Sequence, residues 1–88
     1  MTKELTSLLD EFAAVPVTQH REQIEFTIAD ARDLIHHGEA GVAFENVCQN
    51  LYEFDFPLSR AHYERLERLG QHYGFKSDTW SFLQSLVA

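Results

Sequence analysis

The chain has 88 residues, 44% hydrophobic and 12% aromatic, with a formal net charge of −7. That is enough apolar material for one folded domain with a modest core, and it argues against both disorder and a ligand-sized internal cavity. A pI near 5.0 speaks against direct nucleic-acid binding, which needs a basic face, and suits a protein that meets a basic one. The bland alternative is that the charge serves solubility alone.

Leu5, Leu8, Leu9 and Phe12 make an i, i+3, i+4, i+7 stripe, which predicts a first helix over Lys3 to Ala14, stopped by Pro16. Thr18 is the candidate N-cap of a second helix over Glu22 to His37. There Ile24, Phe26 and Ile28 alternate like a strand, while Ile24, Ile28, Ala31 and Ile35 repeat like a helix. The helical pattern is longer and runs out at Gly38, a natural C′ residue, so helix is the reading. Phe26 then falls off the apolar face, on a stripe with Glu22, Asp30 and Asp33. Either it serves contact or a neighbouring segment, such as the C-terminus, covers it.

The chain is organised around Glu39 to Ser59. Ala40, Phe44, Val47, Cys48 and Leu51 mark one helical face, with Glu45, Asn46, Gln49, Asn50 and Glu53 between them. Phe54-Asp55-Phe56-Pro57 ends this helix, because the residue before proline is pushed out of the α region. Ser59 is the N-cap of a fourth helix, with His62, Leu66, Leu69 and Tyr73 on one side and an Arg60-Glu64-Arg68 ladder on the other. Gly70 lies inside that helix and Gly74 closes it. Ser77 or Asp78 caps a last short helix whose Trp80, Leu83 and Val87 pack back. The expected fold is all-α: a compact bundle of four to five short helices forming one domain over residues 1–88.

Chemistry-bearing motifs are missing. There is no Gly-rich phosphate loop, CxxC pair, HExxH, GxSxG or Asp-Ser-Leu carrier motif. His36 and His37 diverge by about 100° on a helix, and His62 and His72 stand roughly 15 Å apart, so no metal site is expected. Cys48, the lone cysteine, sits on an apolar face and is expected to pack as a small hydrophobe. Neither catalysis nor a cofactor is expected. The N-terminal M-T-K-E-L-T-S-L-L-D-E-F resembles no signal peptide, and no apolar run is long enough for a bilayer. A cytoplasmic protein without membrane contact is therefore expected.

Charge is unevenly placed. Residues 1–55 hold eleven acidic and three basic side chains; residues 56–88 hold three acidic and four basic. The negative excess lies in the first three helices and the corner after them, where a cationic partner would dock. Phe44-Glu45-Asn46-Val47-Cys48, Asn50 to Asp55, Pro57-Leu58-Ser59, and then Tyr63, Leu66 and Leu69 together resemble the small helical immunity proteins of bacterial toxin systems. These are the Maf type and the related contact-dependent growth inhibition type, and the likeness covers about half the chain, Asp30 to Tyr73. It implies a cytoplasmic inhibitor that binds the toxic C-terminal domain, often a nuclease, of its cognate toxin in a one-to-one complex. Glu22, Phe26, Asp30 and Asp33 would present one contact stripe, and Glu45, Gln49, Glu53 and Asp55 another, with an aromatic such as Phe26 or Tyr52 as the desolvated anchor. Asn46 and Asn50 are equally suited to bracing loops. Two alternatives stay open: a helical adaptor that forms a weak homodimer through the Phe26 stripe, and an acidic regulator that mimics nucleic acid.

Overall fold

The computed structural model describes residues 2–88. Four α-helices follow one another: α1 (Thr2–Ala14), α2 (Arg21–His36), α3 (Ala40–Glu53) and α4 (Arg60–His72). Two 3₁₀ segments, Ser77–Thr79 and Ser81–Leu86, close the chain. An isolated parallel bridge between Leu58 and Val87 ties the end of the chain to the corner before α4. The all-α expectation holds, and the 11.7 Å radius of gyration matches the roughly 12 Å expected of a compact chain this long.

One core joins all the helices. Leu5, Leu8, Leu9 and Phe12 of α1 meet Phe44, Val47, Cys48 and Leu51 of α3, with Leu66 of α4 and Leu83 of the second 3₁₀ segment beside them. Full burial of a side chain such as Phe44 is worth about 1.5–3 kcal/mol. Phe44 is stacked on Phe75 at 5.7 Å and tilted against Tyr73 at 5.8 Å, which fastens α3 to the chain beyond α4. Cys48 is fully buried, and desolvation pushes its thiol up to about 12, so it packs as a hydrophobe. Burial also raises the Tyr73 hydroxyl, a buried polar side-chain atom without a hydrogen-bond partner among the described residues.

Three helices end in the same way. After α2, the Gly38 and Glu39 amides donate to the Ile35 and Leu34 carbonyls. After α3, Asp55 and Phe56 donate to Tyr52 and Leu51; after α4, Gly74 and Phe75 donate to Gln71 and Gly70. Each is a Schellman closure, whose C′ residue must be left-handed. Gly38 and Gly74 take φ of 80° and 82° without a Cβ penalty. Asp55 takes φ 52° instead, a conformation that aspartate tolerates better than most residues.

Local signals named some boundaries and missed others. Ser59 caps α4 as expected, its hydroxyl accepting from the His62 amide at 3.1 Å. Thr18 does not cap α2. That helix starts at Arg21 behind a left-handed His20 (φ 58°), whose carbonyl accepts from Ile24, with no side-chain cap. Ser77 and Asp78 lie inside the first 3₁₀ turn and do not cap it; Lys76 occupies the position before it. The last helix is a short 3₁₀ segment, with Trp80 at its N-cap and Leu83 within it both buried in the core.

Candidate functional site

α2 and α3 are joined by a tight turn and pack side by side as an antiparallel hairpin, the most extensive helix contact in the molecule. On α2, Ile24, Thr27, Ile28 and Ala31 face inward. Glu22, Phe26 and Asp33 therefore point outward and are exposed, with Asp30 half-buried beside them. On α3, burial of Phe44, Val47, Cys48 and Leu51 sends Val42, Glu45, Gln49 and Glu53 to the opposite side, where all four are exposed. The two predicted stripes thus form two ridges of one hairpin.

Grooves flank the α3 ridge. Between α2 and α3, Glu22, Gln23, Phe26, Thr27, Asn50 and Phe54 line a space of 380 Å³. Glu22 and Phe26 of α2 thus share one groove with Asn50 and Phe54 at the end of α3. On the other flank, Gln49, Tyr52, Glu53 and Phe82 line an open trough, where Tyr52 meets Phe82 edge-on at 5.3 Å. Phe26 is 70% exposed, Tyr52 51% and Val42 44%. The C-terminus covers one edge of Tyr52 and leaves Phe26 open.

The acids divide into two sets by their partners. Asp10 on α1 pairs with Arg32, and Glu11 pairs with Arg65 and with His62 at 2.9 Å. Hydrogen bonds from Arg65 and then His62 hold the Glu11 carboxyl below its ordinary pKa. Among the described residues, Glu22, Asp30, Glu45 and Glu53 make no salt bridge, and Asp33 meets only His37, at 3.6 Å. The expected Arg60-Glu64-Arg68 ladder forms no ion pair among the described residues either; α4 spends Arg65 on α1 instead. Asp10 and Glu11 thus stitch helices together, whereas the acids of the α2–α3 hairpin bridge to no other helix; Glu4, Glu64, Glu67 and Asp78 are likewise without a salt bridge among the described residues.

Asp55 has a double position. It is exposed beside the hairpin, but its backbone is the left-handed closure of α3, a structural duty that the sequence pattern did not reveal. The groove walls Asn50 and Phe54 were also missed as a pair, because their meeting with Phe26 exists only once α2 and α3 dock. A second groove, between α1 and α2, holds 290 Å³ over Phe12, Val17, Ile24 and Ile28. Its rim carries Arg21, Arg32 and Glu25, with Arg32 tied to Asp10, so it has no dominant sign. No three His, Cys, Asp or Glu side chains converge on a metal position among the described residues. No helix among them is long and apolar enough to cross a membrane.

Comparison with protein-family models, curated proteins and solved structures found no match to this chain.

Proposed function

We propose that this chain is an immunity protein. It binds the toxic C-terminal domain of a cognate bacterial toxin, of the Maf or contact-dependent growth inhibition kind, and blocks it in a one-to-one complex in the cytoplasm. The observation that supports this reading is the set of carboxylates on the α2–α3 hairpin that tie to no other helix, bracketed by the exposed rings of Phe26 and Tyr52.

A nuclease domain carries a basic groove because it must hold phosphates. Glu22, Asp33, Glu45 and Glu53 offer that groove the charge it is built to receive, on a surface that cannot be cleaved. Exposed carboxylates speed encounter and fix register more than they add affinity. Affinity comes from desolvated anchors, for which Phe26 is the most accessible ring. No step of the inhibition requires chemistry from this chain.

The test starts from the gene directly upstream, whose product is expected to be a large secreted toxin. Its C-terminal domain is expressed in cells with and without this chain. Growth restored by co-expression, with a one-to-one complex on gel filtration, is the expected result. An upstream gene encoding no toxin, or a toxin domain equally lethal with the chain present, contradicts the reading.

A further inference from the structure

We propose that the groove between α2 and α3 is an arginine-binding site through which the partner is anchored; this rests on the reading above and names the chemistry of its contact. One wall is the open face of Phe26. Glu22 and Asp30 stand one turn to either side of it on α2, at the about 5–6 Å between Cβ atoms usual for i, i+4 neighbours. Gln23 and Asn50 add amide oxygens, and Phe54 forms the far wall.

An apolar occupant does not suit this lining, because it would desolvate Glu22 and two amides without giving them a partner. A cation does. Between the two cationic side chains, arginine uses more of what is present. Its flat, weakly hydrated guanidinium stacks on the Phe26 ring while two N–H groups reach Glu22 in a fork. Its remaining donors can be accepted by the amide oxygens of Gln23 and Asn50. A lysine ammonium is a hydrated point charge that takes up neither the ring face nor the fork. The Thr27 hydroxyl does not compete, since it donates to the Gln23 carbonyl at 2.8 Å.

The far wall is fixed in advance. Phe54 is the C-cap residue of α3, its amide donating to Asn50, and its ring lies 5.5 Å from that of His20. Left-handed Asp55 and fully buried Phe56 follow immediately and hold it in place. Binding therefore orders little of the protein.

The test is an amide NMR titration of the full chain with three blocked tripeptides, Gly-Arg-Gly, Gly-Lys-Gly and Gly-citrulline-Gly. The arginine peptide is expected to shift the signals of Phe26, Phe54 and the Asn50 side chain saturably. The lysine peptide should bind roughly threefold more weakly, and neutral citrulline should leave the groove unshifted. Phe26→Leu, at an exposed position that the fold does not need, should weaken the arginine peptide roughly two- to fivefold and erase its advantage over lysine. Equal shifts from arginine and lysine, centred on Glu45 and Glu53, would overturn the groove site while leaving the acidic face intact. Absence of any shift at the groove overturns it as well. Neither result touches toxin neutralisation, which growth assays read separately.

Discussion

The six-membered ring of Trp80 rests on Gly70 so closely that a β-carbon there would overlap Cε3 and Cζ3 of the indole. A glycine in the last turns of α4 is thus the seat of the only tryptophan, and Trp80 in turn is buried with Leu83 beneath the end of the chain. On an exposed helix the change from glycine to alanine gains about 1 kcal/mol. Here overpacking, at about 1–3 kcal/mol, opposes it, and the ring has no flexible end to swing away.

Gly70→Ala is therefore expected to destabilise the protein despite its better helix propensity. A net loss of up to about 2 kcal/mol corresponds to a fall in Tm of up to roughly 16 °C for a domain of this size. Thermal unfolding followed by far-UV CD measures this, and a shifted Trp80 emission maximum should accompany it. An unchanged or raised Tm would show that the ring relocates at no cost.

Asp55 is the one left-handed closure that is not glycine. Asp55→Gly relieves its φ without altering a buried contact and is expected to stabilise by up to about 1 kcal/mol. Asp55→Val, which resists positive φ, is expected to cost more than 1 kcal/mol by the same reasoning. Urea unfolding of both variants checks the sign. Destabilisation by the glycine variant would assign the carboxylate a bonding role that the backbone geometry does not require.

Glu11 couples α1 to α4 through Arg65 and His62. The folded protein holds its carboxyl ionised more strongly than the unfolded chain does. The stabilisation is thus complete above the ordinary value of 4.5 and is lost as pH falls through the lower folded value. Glu11→Gln should therefore lower Tm more at pH 7 than at pH 3. Melting curves at the two pH values measure it; an equal loss at both would mean that packing, not charge, carries the link.

What sequence spacing revealed, and what it did not, follows from how far each cause reaches. The Leu5-Leu8-Leu9-Phe12 stripe, the Ser59 cap and the Gly38 closure are legible because each cause lies within a turn or two of its effect. The same is true of Phe26, marked as an outward ring by its place off the apolar stripe. Glu11 and its partners are 51 and 54 residues apart, and no local pattern joins them. Gly70 has meaning only against Trp80, and the groove at Phe26 needs Asn50 and Phe54 from the next helix. Pro57 predicts the end of α3, whereas the left-handed Asp55 closes it two residues earlier. Thr18 looked like a cap by residue type, but the loop turns through His20, whose ring rests on Phe54.

The central claim is that the α2–α3 face receives a basic protein, and a matched pair of charge reversals tests it most directly. Asp33→Lys with Glu45→Lys changes the hairpin; Glu64→Lys with Asp78→Lys makes the same net change at exposed positions elsewhere. The dissociation constant for the cognate toxin domain is measured for both and for the parent, with far-UV CD confirming unchanged helix. The hairpin pair is expected to weaken binding about tenfold or more, some 1.4 kcal/mol, and the control pair far less. Equal affinities for the two pairs, or a hairpin pair that binds like the parent, would contradict the account.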